Sequence, residues 1–295
     1  MIIQSMSVVV PTKNRCINDC EFCCSKTHTN DYEDRFKDKK SEDYLLYKSD
    51  LRRRFDYARI HGVDTIILTG TGEALQNIPF ILMVDEILKE MNNPFPRIEI
   101  QTTGVLLTDV NLHMLRQVGV STISLSISDI FDDKSNSSII GIHPKLQFNL
   151  DELCKTIKSY GFNLRLSLNM TDVYNNVQRP GTFFERFGEL DADQITFREM
   201  YYSGNNTKED QWVKDHLVRE DLMEEIKFYI KDQGKAQYPL PFGAIVYSIH
   251  KMSTVVDDDC MDSKSEEIND ILKYLILREN GKLYTDWGDV GTLIF

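Results

Sequence analysis

The chain has 295 residues, of which 41% are hydrophobic and 27% charged, a composition that allows a sizeable core in one large domain or two small ones. Its apolar runs are shorter than the ~18 residues of a membrane-spanning helix and no signal-peptide pattern opens it, so we expect a cytoplasmic protein without a membrane anchor. The formal net charge of -12 disfavours a nucleic-acid partner, because nucleic-acid binders usually present a basic face.

Short β-branched runs alternate with helical patterns along the chain. Between the runs, apolar residues recur every three or four positions, as in Leu150, Leu153 and Ile157, which is typical of amphipathic helices. The predicted strands are residues 6–10, 65–68, 97–101, 122–127, 163–168 and 194–197. Six strand–helix units in sequence predict a parallel sheet covered by helices, either an open doubly wound sheet or a barrel.

Residues 201–295 depart from this alternation. They begin with a polar stretch rich in turn-forming residues, continue with a helix that carries Leu222 and Ile226, and end in a hairpin predicted by the turn signal "ENGK". Candidate pocket-lining residues are Tyr201, Tyr202, Phe242 and Trp287. We therefore divide the chain into a core, residues 1–200, and a C-terminal extension, residues 201–295, which extends the sheet or caps the barrel and shapes the substrate pocket.

Polar side chains follow the predicted strands at the points where the strands end. A cysteine-rich loop follows the first strand. The second strand runs into "LTGTGEAL", where Gly70 and Gly72 let the backbone approach a ligand and Glu73 supplies a carboxylate. The fourth, fifth and sixth strands end at Ser126, Asn169 and Arg198. Because functional groups of parallel α/β folds collect at the C-terminal ends of strands, we expect these side chains to share one edge of the sheet.

The loop "RCINDCEFCCSK" contains four of the six cysteines of the chain. Cys16, Cys20 and Cys23 have the spacing C-x3-C-x2-C, and three thiolates on one tight loop suit an iron–sulfur cluster. Cys24 directly follows Cys23 and projects away from it, so we expect Cys24 to pack and not to bind the cluster. A structural zinc site with His28 as a further ligand is the alternative, although zinc sites usually draw a second ligand pair from elsewhere.

Two cysteines lie outside this loop. Cys154 is on the apolar face of its helix beside Leu150 and Ile157, so we interpret it as a core residue. Cys260 is isolated in the acidic run "VVDDDCMD" and is either an ordinary loop residue or a functional thiol. A second cluster cannot be built from these two cysteines.

Two segments of the chain resemble the radical S-adenosylmethionine (radical SAM) enzymes. "CINDCEFC" follows the first strand, with the aromatic Phe22 before the last cysteine. "TGTGEAL" after the second strand is similar to that family's Gly-Gly-Glu segment, with Thr71 in the place of a glycine. The resemblance covers roughly residues 5–200 and implies an α/β fold, a partial (β/α)6 TIM-like barrel with a C-terminal α+β extension.

The resemblance also implies the cofactors. Cys16, Cys20 and Cys23 would hold a 4Fe-4S cluster whose open iron is chelated by S-adenosylmethionine. One electron from the cluster would cleave the sulfonium to methionine and a 5'-deoxyadenosyl radical, which takes a hydrogen atom from the substrate. The implied partner is an electron donor such as flavodoxin or ferredoxin.

The same resemblance suggests contacts for S-adenosylmethionine at the strand ends. Ser126 fits a ribose hydroxyl and Asn169 fits ribose or the carboxylate. Arg198 fits the methionine carboxylate, and an ion pair with Glu199 or Asp193 is the alternative. Cys260 is a candidate hydrogen-atom donor to a product radical, as in some epimerases of that family. The methionine amino group would contact Thr69, Gly70, Thr71, Gly72 and Glu73.

The sequence leaves the substrate open. We expect a small molecule that undergoes rearrangement, epimerisation, elimination or a similar reaction. Modification of RNA or of a peptide is the alternative, which the net charge and the missing accessory domains disfavour. A non-catalytic iron–sulfur or zinc-binding module is a third hypothesis, against which the polar strand ends and the Gly–Glu segment argue.

Overall fold

A largely parallel sheet covered by helices forms the centre of the fold. The computed structural model describes residues 2–12, 14–27, 43–240, 244–257 and 271–295. The strands in these ranges are β1 (Ile2–Val9), β2 (Thr65–Thr69), β3 (Arg97–Thr102), β4 (Thr122–Ile127), β5 (Asn163–Met170), β6 (Gln194–Glu199), β7 (Lys235–Pro239), β8 (Ile245–Ile249), β9 (Met252–Asp257), β10 (Ile271–Leu277) and β11 (Leu283–Tyr284). The helices there are α1 (Cys24–Thr27), α2 (Lys48–Ile60), α3 (Ile78–Glu90), α4 (Asp109–Gln117), α5 (Asp133–Ile140), α6 (Leu150–Ser159), α7 (Gly181–Glu189), α8 (Lys208–Asp215) and α9 (Glu220–Gln233). No helix among the described residues has the length and apolar character needed to span a membrane.

The sheet joins strands of the core to strands of the extension. Across the described residues, its strand order is β11-β10-β1-β2-β3-β4-β5-β6-β9-β8-β7. Neighbouring strands from β10 to β9 pair in parallel, and the remaining pairs are antiparallel. The predicted six-fold α/β pattern of β1 to β6 is thereby confirmed, and β10–β11 is the predicted hairpin. The sequence did not predict parallel pairing of β10 with β1 and of β9 with β6, and the domain boundary at residue 200 stays a prediction.

The parallel strands curve into a barrel. Strands β10 and β9 are seven strand steps apart in the sheet order. In a flat sheet, a spacing of ~4.8 Å per strand would hold them roughly 34 Å apart. Nevertheless, Nζ of Lys273 in β10 lies 3.3 Å from Oδ1 of Asp257 at the end of β9. The sheet therefore curls until side chains of its outermost parallel strands come into contact, and the extension supplies both of those strands.

The two faces of the curved sheet differ in chemistry. Successive residues of a strand point to opposite faces. On the face toward the helices, Ile123 and Leu125 of β4 and Leu166 and Leu168 of β5 are fully buried. Many of the residues that alternate with such positions are polar, and buried examples are Ser5, Ser7, Ser124, Ser167 and Thr196. Because parallel sheets are usually apolar on both faces, the polar inner face marks the barrel interior as a space for polar groups.

A cluster of three side chains lies across the floor of the barrel interior. Arg165 Nη1 in β5 lies 2.6 Å from Glu99 Oε2 in β3. Arg165 Nε and Nη2 donate to Gln194 Oε1 of β6 at 2.9 and 2.7 Å. These residues lie in the N-terminal halves of their strands, and the cluster therefore forms the end of the interior opposite the predicted site residues.

An ion pair with two hydrogen bonds joins α6 to α7 in the helical layer. Arg186 Nη1 and Nη2 donate to the two Asp151 carboxylate oxygens at 3.0 and 2.6 Å. Arg186 Nε also donates to the carbonyl oxygen of Ile130 at 3.0 Å. The hydrogen bond from Arg186 holds the pKa of Asp151 below its usual value. The pair is therefore a pH-dependent link between the two helices.

Replacing Arg186 with methionine is expected to lower the free energy of unfolding at neutral pH by about 1 kcal/mol. Because the pKa of Asp151 is lowered by folding, the ion-pair contribution is complete above the unfolded pKa of about 3.9. It is lost as pH falls through the lower folded pKa. Urea unfolding at neutral pH and at about pH 3 measures the change, and the difference between Arg186→Met and the wild type should shrink in acid.

The matched control is Arg59→Met, because Arg59 pairs with Asp56 at 2.8 Å on the surface, where both side chains are about half exposed. Its effect on the free energy of unfolding should be close to zero. A difference between Arg186→Met and the wild type that is the same at both pH values would contradict the assignment.

Candidate functional site

The cysteine loop and the glycine-rich segment after β2 are in direct contact at the C-terminal edge of the barrel. A Cβ atom on Gly72 would lie 3.4 Å from Cys16 Cα and 3.3 Å from Thr12 Oγ1. A Cβ atom on Gly70 would lie 2.8 Å from the carbonyl oxygen of Gly72. A side chain at position 70 would therefore collide with the backbone of the glycine-rich segment itself, whereas Gly72 lets that segment lie against the cysteine loop.

The three spaced cysteines lie within one another's electrostatic range. Burial, together with the nearby Glu73 and Cys23, raises the pKa of Cys16 to about 11, whereas backbone amides of Asn18 and Glu73 favour its thiolate. Burial also raises the pKa of Cys20, and the charges of Cys23 and Cys16 add to that rise. Three desolvated thiols on one loop are a donor set for a cofactor whose positive charge stabilises thiolates, and soft metal ions and iron–sulfur clusters bind thiolates in this way.

The donor chemistry of Cys16, Cys20 and Cys23 fits an iron–sulfur cluster. Within the described part of the chain, no three His, Cys, Asp or Glu side chains form a ready-made site for a single metal ion. The ligand roles of the three cysteines stay a prediction.

An apolar wall lies behind Cys20. Cys20 and Ile17 pack against a buried cluster formed by Val105, Ile140 and Ile142. The backbone of the loop is held on the same side, because Asp19 N donates to Gly141 O at 3.3 Å and Glu21 N donates to Ile139 O at 3.1 Å. These contacts define the course of the loop, and the apolar cluster keeps water away from one side of it.

The Glu73 carboxylate is buried, with 4% of the residue exposed. Its Oε2 accepts hydrogen bonds from Thr103 N at 3.0 Å and from Thr103 Oγ1 at 3.1 Å. Burial raises the pKa of Glu73, and hydrogen bonds from Thr102 and Thr103 oppose part of the rise. The carboxylate is therefore held in one orientation, next to Cys16, by the end of β3.

Ser126, Asn169 and Arg198 meet on neighbouring strands, as the sequence predicted. Asn169 Nδ2 donates to Ser126 Oγ at 3.1 Å and to Ser128 Oγ at 3.3 Å. Asn169 of β5 is paired in register with Arg198 of β6. The structure thus brings these three residues together on one side of the barrel edge, while their contacts with S-adenosylmethionine stay predictions.

Arg198 also faces the strand that closes the barrel. Its Nε lies 3.9 Å from Asp257 Oδ2 in β9. Its two alternative partners are in other ion pairs, since Glu199 lies 3.3 Å from Lys227 and Asp193 lies 2.6 Å from Lys158. The acidic neighbour of Arg198 therefore comes from the extension, which sequence spacing could not indicate.

Thr71 connects the glycine-rich segment to the extension. Its hydroxyl donates to the carboxylate of Glu279, which lies in the turn of the β10–β11 hairpin. The hydroxyl of Tyr47 donates to the backbone oxygen of Glu279 at 2.7 Å. A glycine at position 71 could not make the first of these bonds. The departure from the family's glycine therefore has a structural reason, namely that the hairpin packs on this segment.

The polar stretch after residue 200 covers the cysteine loop, a contact that the sequence analysis missed. Asn205 Nδ2 donates to Thr27 O at 2.8 Å. Lys26 Nζ lies 3.7 Å from Glu209 of α8, and the rings of Phe22 and Trp212 are 6.0 Å apart. The available signal was the pair Thr207 and Asp210, which forms the capping box that starts α8. Residues that look like a solvated turn therefore form part of the wall of the site.

The remaining cysteines have different environments. Cys154 is fully buried in the core, which confirms its predicted role. Cys24 is exposed at the start of α1, so the expectation that it packs is wrong. Its neighbour Cys23 supplies the ligand candidate. Cys260 and His28 lie outside the described residues.

The aromatic residues expected to line a pocket are also divided. Trp287 is partly buried against Val9, Tyr274 and Ile276 at the end of β1 and along β10. Tyr202 is 42% exposed, and the Lys214 ammonium lies over its ring, 4.4 Å from the centroid. Tyr201 is half-buried next to it. Phe242 lies outside the described residues, so Trp287 is the candidate nearest the inner face of the sheet.

Known structures share this fold at low sequence identity. SuiB from Streptococcus suis is 15% identical with a TM-score of 0.61, and the similarity covers 96% of this chain and 60% of SuiB. SuiB has also been solved bound to S-adenosylmethionine, with 16% identity and a TM-score of 0.61 over the same shares of the two chains. The chain thus spans about 60% of the length of SuiB.

A second solved protein, anSMEcpe with bound AdoMet and Kp18Cys peptide, is 12% identical with a TM-score of 0.54. The similarity covers 98% of this chain and 75% of anSMEcpe. Identities this low establish a common fold and nothing finer.

The family assignment rests on the sequence of the core. None of the curated proteins compared with the chain matches it significantly. The model of the Radical SAM superfamily matches residues 10–171, which is more than half of the chain and includes both the cysteine loop and the Thr69–Glu73 segment. The predicted resemblance is confirmed, and the chain belongs to the Radical SAM superfamily, whose members use a 4Fe-4S cluster and S-adenosylmethionine.

Proposed function

We propose that the protein is a radical SAM enzyme that acts on a small polar molecule bound inside the barrel. Cys16, Cys20 and Cys23 hold the 4Fe-4S cluster, and Thr69–Glu73 receives the amino group of S-adenosylmethionine. When bound, these groups supply hydrogen-atom abstraction from substrate by a 5'-deoxyadenosyl radical. Flavodoxin or ferredoxin is the electron donor, and the cytoplasm is the compartment.

The chain's own residues hold and orient these groups. The amides of Asn18 and Glu73 stabilise the Cys16 thiolate. Thr103 orients the Glu73 carboxylate by a hydrogen bond to Oε2. The other oxygen, Oε1, has a long contact of 3.5 Å from Leu75 N, and it accepts a hydrogen bond from the ammonium group of S-adenosylmethionine. Ser126 and Asn169 bind the ribose. Arg198 binds the methionine carboxylate in competition with Asp257, a partner 3.9 Å away and thus easily exchanged.

The polar barrel interior is the observation that supports a small polar substrate. Ser167 Oγ and Glu99 Oε1 are buried and have no hydrogen-bond partner among the described residues. Buried polar atoms in folded proteins nearly always form a hydrogen bond, so these two atoms are available to bond a ligand or water. The floor formed by Glu99, Arg165 and Gln194 offers charged and amide groups to the same space. Hydroxyl, amide or carboxylate groups of a substrate suit these surroundings better than an apolar side chain does.

A peptide substrate is the second candidate. The observation in its favour is that SuiB has been solved bound to precursor peptide SuiA, with a TM-score of 0.59 to this chain. The structure of anSMEcpe also contains a peptide. A peptide residue would have to reach the polar interior from the edge of the barrel that carries the cysteines.

Anaerobic reconstitution with iron and sulfide tests the proposal. We expect about four irons per chain, and release of methionine and 5'-deoxyadenosine when S-adenosylmethionine and a strong reductant are added. The control is Cys20→Ala, which should release neither product. About four irons without any cleavage in the wild type would reject the enzymatic proposal.

Deuterium transfer separates the two substrate classes. The enzyme is incubated with a strong reductant, unlabelled S-adenosylmethionine and either the high-mass fraction of a deuterated cell extract or its low-mass fraction freed of S-adenosylmethionine. The 5'-deoxyadenosine is then analysed by mass spectrometry. Deuterium acquired from the low-mass fraction supports a small molecule. Deuterium acquired from the high-mass fraction alone supports the peptide or RNA alternative and contradicts the small-molecule proposal.

A further inference from the structure

One side chain, Gln76, joins the cysteine loop to the glycine-rich segment. Its Oε1 accepts hydrogen bonds from Ile17 N at 2.9 Å and from Glu73 N at 3.3 Å. Its Nε2 donates to the backbone oxygen of Arg15 at 3.1 Å. The backbone on both sides of Cys16 is therefore bonded to the same amide group that holds the backbone of Glu73.

The chemistry of these contacts specifies a glutamine. Gln76 lies at the third position of the short 3-10 turn Ala74–Gln76, and its side chain returns to the backbone of Glu73 in a capping box. A capping box needs only an acceptor at this position. The backbone oxygen of Arg15 needs a donor as well, which a glutamate cannot supply and a glutamine can.

A second connection between the same two segments runs through Thr103. Asn18 Nδ2 of the cysteine loop donates to Thr103 Oγ1 at 2.7 Å. Since this hydroxyl accepts from Asn18, its single proton is directed to Glu73 Oε2, which lies 3.1 Å away. The Glu73 backbone is thus held by Gln76 and its carboxylate by Thr103, and each of these residues is also bonded to the cysteine loop.

We propose that Gln76 is a positioning residue that couples the geometry of the cysteine loop to the affinity for S-adenosylmethionine. The inference rests on the proposed function. Gln76 touches neither group itself. It acts by setting where Glu73 stands relative to Cys16, and hydrogen-bonding partners of this kind tune both the orientation of metal ligands and the properties of clusters. Thr103 acts on Glu73 as well, through the Glu73 carboxylate, whereas Gln76 acts through the Glu73 backbone.

Gln76→Leu in the full-length reconstituted protein tests the inference, with S-adenosylmethionine itself as the ligand. We expect iron to stay near four per chain and the thermal midpoint of the metal-free protein to fall only by the few degrees that the loss of side-chain hydrogen bonds costs. The Kd for S-adenosylmethionine should rise about tenfold, as loss of one or two net hydrogen bonds would produce. The change that S-adenosylmethionine causes in the electron paramagnetic resonance spectrum of the reduced cluster should diminish.

Asn111→Leu is the matched control. Asn111 Nδ2 donates to Leu106 O at 2.8 Å, so this variant also loses a bond between a side-chain amide and the backbone, but one in which no residue of the cysteine loop takes part. Its Kd for S-adenosylmethionine should equal that of the wild type. A role of Gln76 in folding alone would lower the iron content and the thermal midpoint and leave the Kd of the loaded fraction unchanged, which would overturn the inference.

Thr103→Val provides a second test, which does not depend on the folding of Gln76→Leu, and it should weaken S-adenosylmethionine binding in the same way. Where Gln76→Leu folds, the double variant should lose less than the product of the two single effects, because both act through Glu73. If the loss of S-adenosylmethionine affinity in the double variant equalled the product of the two single losses, the proposed coupling would be overturned. If the wild type binds no S-adenosylmethionine, the proposed function is rejected. If the wild type binds it and both single variants bind it with the same Kd, this inference alone is rejected.

Discussion

Replacing Cys20 with alanine is expected to remove the iron–sulfur cluster from the protein. Cys20 is held between the backbone contacts of Asp19 and Glu21 and an apolar wall, with no neighbouring side chain suited to replace its sulfur in that wall. Two remaining thiolates would leave two irons of a cubane without protein ligands. The visible absorbance and the iron content of the reconstituted sample should therefore fall to background, and the same result is expected for Cys16→Ala and Cys23→Ala.

Cys24→Ala is the control for this prediction. Cys24 is adjacent to Cys23 in sequence, and its side chain is exposed at the start of α1. This variant should keep about four irons per chain. If Cys24→Ala lost the cluster while Cys20→Ala retained it, the assignment of the ligands from their spacing would be wrong. Circular dichroism of the metal-free variants checks that each of them is folded.

Replacing Glu73 with glutamine is expected to weaken S-adenosylmethionine binding by about 10- to 100-fold. A hydrogen bond to a charged group contributes about 1.5–3 kcal/mol, and glutamine keeps the shape of the side chain but removes its charge. Folding stability should change little. Because burial raises the pKa of Glu73, its ionised form is disfavoured in the folded protein, and a neutral side chain avoids that cost.

Titration with S-adenosylmethionine and thermal unfolding measure the two effects separately. Glu99→Gln is the matched control, because Glu99 is also buried, with 4% of the residue exposed, but lies on the floor of the barrel. It should lower the thermal midpoint, since it loses its 2.6 Å ion pair with Arg165, and leave S-adenosylmethionine binding unchanged. Unchanged binding in Glu73→Gln would exclude Glu73 as the acceptor for the amino group.

The two glutamate variants are therefore expected to separate binding from stability. Glu73 is a buried carboxylate that accepts hydrogen bonds, and within the described part of the chain it forms no ion pair. Glu99 is a buried carboxylate with an arginine. The first is an arrangement that leaves charge available for a cationic group of a ligand, and the second is an arrangement that holds strands together.

The six core strands were predictable because their signals are local. β4 reads "TISLSI" and β5 reads "NLRLSLNM", so apolar residues alternate with polar ones over the whole of each strand. The same alternation also holds information about the barrel interior, which the strand assignment alone does not use. It indicates a polar inner face, because strands of a parallel sheet that is buried in apolar surroundings on both sides lack this pattern.

The cysteine spacing and the Gly–Glu segment were informative for a similar reason. Ligands on one loop are brought together by a few backbone angles, so the distances between Cys16, Cys20 and Cys23 follow from the sequence itself. The support of that loop was not predictable in this way. Gln76, Thr103 and Asn205 reach it from three other parts of the chain, through single hydrogen bonds that leave no periodic trace.

By itself, the sequence determined the alternating strands and helices, the family and the identity of the candidate ligands. Each of these depends on residues that lie close to one another along the chain. Only the tertiary structure decided how the barrel closes and what surrounds the site. The pairing of β10 with β1 and the bond of Thr71 to Glu279 join residues from distant parts of the chain. Such contacts depend on the curvature of the whole sheet, and no local pattern specifies it.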